Sequence, residues 1–418
     1  MSGDPIAVTA GMLAEAAGGR LVGGDGGRVI GGISIDSRTV APGDLFFAIR
    51  GERLDGHTFI GAAFERGAMG AVVSDGAAAR GPEGAILVLV DDTTRALQAL
   101  ARHVRRASGA RVVALTGSAG KTTTKEIAAD FLSARYRVFR NKGNLNNHIG
   151  LPLSLLELRS RPEVAVVELG MNHAGEIRAL VGIAEPDVRV WTNVGDAHMG
   201  FFASADAIAD AKAEILELAG PSDLLVANAD DDRVMTRARR FAGRIVTFGI
   251  EQDADVRAVD VADRGVDGTS AWLMTPRGEA RMETSLAGRG NLANILAAAT
   301  VALELNVPLA EIVSRAATLA PAPRRGEVLR LAGGVTILDD SYNSSPAALQ
   351  RALDTLARTT GRARKGAVLG EMLELGDHSI RLHRACGEAA AAADLAWLVT
   401  AGGAAANALG EAAVEAGL

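Results

Sequence analysis

Cysteine is almost absent from this chain: Cys386 is the single one in 418 residues. One thiol closes no internal disulfide, and such usage fits a reducing cytoplasm. Cys386 itself reads as a small core residue. Aromatic residues make up 4% against a hydrophobic fraction of 48%, so aliphatic side chains and alanine carry the core. There is no excess of positive charge either. With 44 basic and 50 acidic residues the formal net charge is −6, which gives no electrostatic footing on nucleic acid or an anionic membrane. No apolar run approaches the ~18 residues of a membrane span, and no charged-then-apolar start marks an export signal. Fixed-period repeats and low-complexity tails are missing too. What remains is a globular chain with length for roughly two to four domains. It is expected in the cytoplasm, as a monomer acting on small molecules.

The rest of the chain is organised around Arg111-Val-Val-Ala-Leu-Thr-Gly-Ser-Ala-Gly-Lys-Thr-Thr-Thr124. Residues 112–115 read as a buried strand, 117–120 as a small-residue turn, and 121 to about 134 as a helix. That succession makes an anion site, because free backbone N–H groups converge there and the helix dipole favours negative charge. The general phosphate-loop pattern has a glycine where this chain has Leu115, but the shorter Thr-Gly-x-x-Gly-Lys-Thr form stands in the right strand-to-helix context. Gly117, Ser118, Ala119, Gly120, Lys121, Thr122 and Thr123 are therefore expected to hold ATP. Lys121 would reach the outer phosphates, and the Thr122 hydroxyl would sit on Mg²⁺.

The runs on either side predict an α/β protein in three parts. In residues 1–107, Thr9 caps a short helix, strands fall at 30–35, 44–49, 71–73 and 85–90, and a helix at 92–106 leads to a hinge at Ser108-Gly109. Ser37 and Arg38 stand in a polar turn able to hold a phosphate or uridine group, although residue types alone favour a solvated turn. Residues 108–321 alternate strand and helix, with strands at 112–115, 137–139, 164–168, 188–192, 224–227 and 245–248. That is the pattern of a doubly wound parallel sheet, whose ligands bind beyond the strands' carboxyl ends. Glu168 and His198 stand at or just past such ends, and with the Thr122 hydroxyl they suit a divalent cation. Taken alone, His198 reads more readily as a packed imidazole, and histidine suits Mn²⁺ better than Mg²⁺. Asp196 is a further acidic candidate. Asn144, Asn146 and Asn147 lie in an asparagine-dense loop whose amides either bind a polar ligand or close Asx turns. Lys212, on a later helix, is by type a surface residue. Residues 253–287 read as a small antiparallel insert. From 322 on, strands at 335–340, 366–369 and 395–400 suggest a Rossmann-like domain with three parallel strands. That is few for such a sheet, so the domain is expected to be incomplete.

In combination, Asp36-Ser-Arg38, the phosphate loop, Gly288-Arg-Gly-Asn-Leu-Ala-Asn294 and Tyr342-Asn-Ser-Ser-Pro346 resemble the Mur ligases, ATP-dependent amide ligases that extend the peptidoglycan stem peptide. The likeness runs in order from Ser34 to about His378. It implies a UDP-sugar-binding domain at 1–107, an ATP-binding domain at 108–321, and a C-terminal domain at 322–418 that closes on the nucleotide and takes the amino dipeptide. It implies two Mg²⁺ ions among Glu168, His198 and Lys212, with Lys212 carbamylated by CO₂ into a carboxylate-like ligand. This resemblance is the only ground for selecting Lys212, and it makes Lys121, His198 and Lys212 the catalytic set. Asn294 is carried over from the adenine-side motif, which usually has His where this chain has Gly290. Arg325, Asp340 and Asn343 match residues that close onto the nucleotide.

Asn144-Leu-Asn-Asn147 and Tyr342-Asn-Ser-Ser-Pro346, together with the absence of an Asp-Asn-Pro-Arg motif, resemble the branch that joins D-alanyl-D-alanine to UDP-N-acetylmuramoyl-tripeptide. Ser37, Arg38, Asn144, Asn146 and Asn147 would then touch that substrate. The family's late Lys-Gly-Ser segment is missing. Two alternatives stand beside this reading. One is a folylpolyglutamate synthetase, which shares the scaffold but lacks the uridine-binding unit. The other is a nucleotide-binding protein without ligase activity, against which the Glu168, His198 and Lys212 set argues.

Overall fold

The structure, a computed structural model, describes residues 4–74, 76, 80–195, 199–361 and 364–418. Asp196 and His198 lie outside the described residues. The chain divides into two compact units, Met1–Val112 with Asn141–Leu169 and Ala179–Glu185, and Val113–Arg140 with Gly170–Arg178 and Pro186–Leu418. The first unit thus takes in the asparagine-rich segment and the strand after it, which the sequence reading assigned to the middle part.

The first unit holds a five-stranded sheet in the order Arg20–Gly23, Ile86–Leu89, Gly70–Val73, Asp44–Phe47, Gly32–Ser34. Its strands are parallel except for the edge strand Arg20–Gly23. The inner strands are continuous apolar runs, as parallel strands covered on both faces must be. Phe46, Ala71, Val73 and Leu87 pack against Ile60 and Ala63. Arg20–Gly23 escaped the sequence reading because it is short, half-exposed and ends in glycine. Thr9 caps Ala10–Ala16 by accepting the Met12 N–H at 3.2 Å, as expected. Thr93–Ser108 starts at an Asp92 cap and stops at Gly109, whose φ of 68° is left-handed, a conformation glycine adopts without steric cost.

The second unit carries seven neighbouring strands of a nine-stranded sheet, in the order Gly278–Thr284, Thr269–Thr275, Val256–Asp263, Arg244–Gly249, Leu224–Asn228, Val188–Trp191, Arg111–Thr116. From Arg111–Thr116 to Arg244–Gly249 the pairing is parallel. The expected insert is antiparallel but not separate: Val256 and Arg257 pair in parallel with Phe248 and Gly249, so it prolongs the main sheet. The helix Gly288–Glu304 is buried almost all round from Leu292 to Leu303. Its alanines allow this, because small side chains let neighbours approach on every face.

The C-terminal strands differ from the expectation of three parallel ones. Glu327–Arg330 and Thr336–Asp339 form an antiparallel pair, and Gly366–Gly370 with Trp397–Ala401 forms a separate parallel pair. The cause is local. Gly333 and Gly334, at φ 81° and 80°, turn the chain back on itself, where a single strand was read. The core beyond them gathers Leu349, Leu353, Leu382, Leu395 and Leu409. Cys386 belongs to it as expected, and burial pushes its thiol up to about 11. Among the described residues no helix is long and apolar enough to cross a membrane.

Candidate nucleotide-binding site

The phosphate loop leaves the buried strand Arg111–Thr116 and enters the helix Lys121–Leu132 through Gly120. Gly120 has φ 82°, and a Cβ there would stand 2.2 Å from the Asn294 Oδ1. Both facts demand glycine. The loop is held from outside by the neighbouring strand's end. The Ala119 N–H donates to the Asn193 Oδ1 at 2.9 Å. The Ala119 carbonyl accepts from the Thr192 hydroxyl and the Asn193 amide, each at 2.9 Å. The Ser118 hydroxyl donates to the Gly195 carbonyl at 3.1 Å and accepts the Gly195 N–H at 2.8 Å. Asn193 follows its strand directly, which was the available sequence signal. Its role as the brace of this loop was not read from it.

Two lysines meet at one carbonyl. The Lys121 Nζ donates to the Gly117 oxygen at 2.8 Å, and the Lys212 Nζ donates to the same oxygen at 3.1 Å. Lys212 is 1% exposed, so the surface reading of its type fails. A buried lysine beside a phosphate loop is a poor surface ornament and a good counter-charge for phosphate.

Opposite the loop, the same pocket is lined by Asn291, Asn294, Arg325, Asp340 and Asn343, together with Ser118, Ala119, Gly120 and Thr123. The structure therefore gathers the expected ATP-side residues Asn294, Arg325, Asp340 and Asn343 at one cavity with the loop. Asn294 is tied to the loop helix through the Thr124 hydroxyl, 3.2 Å from its Oδ1. The Arg325 guanidinium lies over the Tyr342 ring, 4.0 Å from the centroid. Desolvation raises the Asp340 carboxyl above the usual carboxylate range, while nearby Arg325 and Arg351 pull the other way. Arg351 also lines the pocket, and the sequence reading did not single it out.

In the first unit the structure gathers a second set. Glu168 is 4% exposed and ends its strand. Its Oε1 accepts the Asn146 side-chain amide at 2.8 Å, and its N–H donates to the Asn141 Oδ1 at 3.1 Å. Asn147 does what the plainer alternative foresaw and caps a turn, its Oδ1 accepting from Ile149 and Gly150. The Asn144 backbone carbonyl accepts the Asn146 N–H at 2.8 Å. In the Asp36–Arg38 turn, Arg38 points into solvent and forms a double hydrogen bond with Asp36, which holds that carboxyl down at about 2. Ser37 beside it is buried. Among the described residues no three His, Cys, Asp or Glu side chains cluster as a metal centre.

Comparison with known proteins gives this arrangement its kind. Residues 29–105 match the Mur ligase family catalytic domain, 115–302 the Mur ligase middle domain, and 324–417 the Mur ligase glutamate ligase domain. The chain belongs to the Mur ligase family. Among its curated relatives, the UDP-N-acetylmuramoyl-tripeptide–D-alanyl-D-alanine ligase of Bacillus subtilis is 35% identical over 85% of this chain and 76% of its own length. A crystal structure of MurF from Acinetobacter baumannii superposes with TM-score 0.91 at 33% identity, over 98% of this chain and 89% of that one. MurF ligase from Thermotoga maritima, solved in complex with ADP, superposes with TM-score 0.81 at 32% identity, over 90% of this chain and 86% of that one. A folylpolyglutamate synthase of Mycobacterium tuberculosis shares the fold alone, at 18% identity and TM-score 0.61 over 77% of this chain and 82% of that one. The expected α/β Mur ligase architecture and the nature of the chain as a ligase are thereby established, and the synthetase alternative falls away.

Proposed function

We propose that this Mur ligase joins D-alanyl-D-alanine to UDP-N-acetylmuramoyl-tripeptide, using ATP and releasing ADP and phosphate. One observation carries the proposal: a single cavity lined by the phosphate loop and by Asn294, Arg325, Asp340 and Asn343, in a chain 35% identical to a relative named for that reaction. The steps follow from the chemistry of the bond made. A carboxylate oxygen of the tripeptide attacks the γ-phosphorus. The new O–P bond forms as the bond to the β-phosphate oxygen breaks, and ADP leaves. The free amine of D-alanyl-D-alanine then attacks the acyl carbon and gives up a proton. The C–N bond forms, the C–O bond to phosphate breaks, and inorganic phosphate departs.

The chain's own groups serve the first step by holding charge. The Lys121 ammonium and the loop N–H groups face the transferring phosphoryl group, where fixed donors act most strongly. Lys212, buried next to Lys121 at the Gly117 carbonyl, adds positive charge in its ammonium form. Mg²⁺ takes hard oxygen ligands: by type the Thr122 hydroxyl and the Glu168 carboxylate are each of that kind, whereas an ammonium is not. Carbamylation of Lys212 would supply the missing oxygens for a second ion, with His198 as a further ligand. When bound, the ion would spread the charge of the phosphates.

Residues 1–107 take the UDP-sugar end through Ser37 and Arg38, and Asn144, Asn146 and Asn147 face the peptide. Residues 108–321 hold ATP. Residues 322–418 close over it and take the dipeptide, which keeps water from the acyl phosphate. The protein works as a cytoplasmic monomer, where ATP and nucleotide-linked sugars are found. Phosphate release from ATP tests the reading. Release is expected only with both the UDP-linked tripeptide and D-alanyl-D-alanine present. Release that ignores either substrate, or none with both present, contradicts it.

A further inference from the structure

Arg351 has an unusual position for an arginine. It sits on the helix Pro346–Arg358 and lines the nucleotide pocket. Its stem crosses Gly290, in the first turn of the helix Gly288–Glu304, so closely that a Cβ on Gly290 would stand 2.9 Å from the Arg351 Cδ. The bare backbone at Gly290 is what admits the arginine. Its charge is poorly met. Among the described residues the guanidinium makes no hydrogen bond and no ion pair, and Asp340 is the one charged group that acts on it. Burial pulls its pKa below the usual arginine value. That Asp340 charge is shared, since Arg325 acts on the same carboxylate. The pocket thus holds two guanidinium groups against one carboxylate. A desolvated cation without donors satisfied is costly unless an anion arrives, and the guanidinium fork matches phosphate oxygens.

We propose that Arg351 is a nucleotide-holding residue, seated over Gly290 so that its guanidinium contacts the nucleoside polyphosphate in this pocket. The inference rests on the ATP-binding reading of the pocket and goes beyond it by assigning a residue pair. Gly290 and Arg351 act as one unit: either a side chain at 290 or loss of the arginine removes the contact. The clashing atom is the flexible part of a side chain, so Gly290→Ala displaces the arginine and leaves the fold in place.

ADP binding to the full chain by titration calorimetry tests this, with Arg351→Ala, Gly290→Ala and the double variant. The expected result is a weakening of roughly tenfold or more for Arg351→Ala, the scale of one charge-assisted hydrogen bond. Gly290→Ala should weaken binding by a similar factor, and the double variant no more than Arg351→Ala alone. Thermal midpoints without ADP should stay near that of the parent chain, while the rise on adding ADP shrinks. In turnover, KM for ATP should rise with little change in kcat. Parent-like ADP affinity of Arg351→Ala, or independent and additive losses from the two single variants, overturns the assignment alone. A parent chain that does not bind ADP overturns it together with the reading of the pocket.

Discussion

The two sides of the nucleotide pocket are built differently. On the phosphate-loop side the loop is braced by its neighbours. Ala119 is fixed through both its N–H and its carbonyl by Asn193 and Thr192, and two lysines converge on the Gly117 carbonyl. This side hangs from buried parallel strands. The other side rests on the half-exposed pair Glu327–Arg330 and Thr336–Asp339, and two-stranded sheets have little stability of their own. Its arginines are poorly met: Arg325 stacks on Tyr342, and Arg351 has only a shared carboxylate. The difference teaches that one side is shaped before ATP arrives, while the other is completed by the nucleotide's charge.

The largest break in that contrast should come from Lys121→Ala, which removes a charged donor from the preformed side. Turnover should fall by roughly 10²–10³-fold, the usual loss for a donor aimed at developing charge, with little change in thermal midpoint. Steady-state kinetics with both substrates measures it. Asn193→Ala attacks the brace rather than the contact. It leaves the Ala119 N–H without its partner, so stability should drop by about 1 kcal/mol and KM for ATP should rise several-fold. Denaturant melts and kinetics separate the two effects. A subtler probe sharpens the comparison itself. Hydrogen exchange with and without ADP should show strong slowing across residues 325–351 and weak slowing across 116–124, because only the former gains order on binding. Equal slowing on both sides would dissolve the distinction.

The smallest effect lies in the first unit. The Asp55 carboxyl, which caps the turn at His57 by accepting its backbone N–H and bonding its ring, is held down at about 2. A lowered carboxylate contributes stability above its unfolded pKa and loses it as pH falls toward the folded value. The contribution should therefore be intact above pH ~4 and fade toward about 2. Asp55→Asn should flatten the fall of the thermal midpoint over that range.

How much of this was legible in the residues depends on how local each signal was. The phosphate loop declared itself because strand, glycine turn, lysine and helix follow one another in the chain. The inner first-unit strands and the cap at Thr9 were legible for the same reason, whereas the edge strand Arg20–Gly23 and the Asp92 cap were not read. Lys212 was not, since nothing local tells a buried lysine on a helix from a solvated one; only the resemblance pointed to it. Arg351 was invisible because its meaning depends on Gly290, a residue far away in sequence whose missing side chain makes the space. The hairpin at Gly333-Gly334 was missed because an apolar run bounded by glycines looks alike whether its partner is parallel or antiparallel. Asparagines 144, 146 and 147 divided as their chemistry allows: Asn147 closes a turn and Asn146 meets Glu168.

The account rests on the tripeptide carboxylate being activated as an acyl phosphate in this pocket. Isotope transfer tests that most directly. The tripeptide substrate, labelled with ¹⁸O in its terminal carboxylate, is turned over with ATP and D-alanyl-D-alanine, and the released phosphate is weighed by mass spectrometry. The account predicts one labelled oxygen in each phosphate, because the C–O bond that breaks leaves the carboxylate oxygen on phosphorus. Phosphate released without label, while the amide product forms, would contradict it.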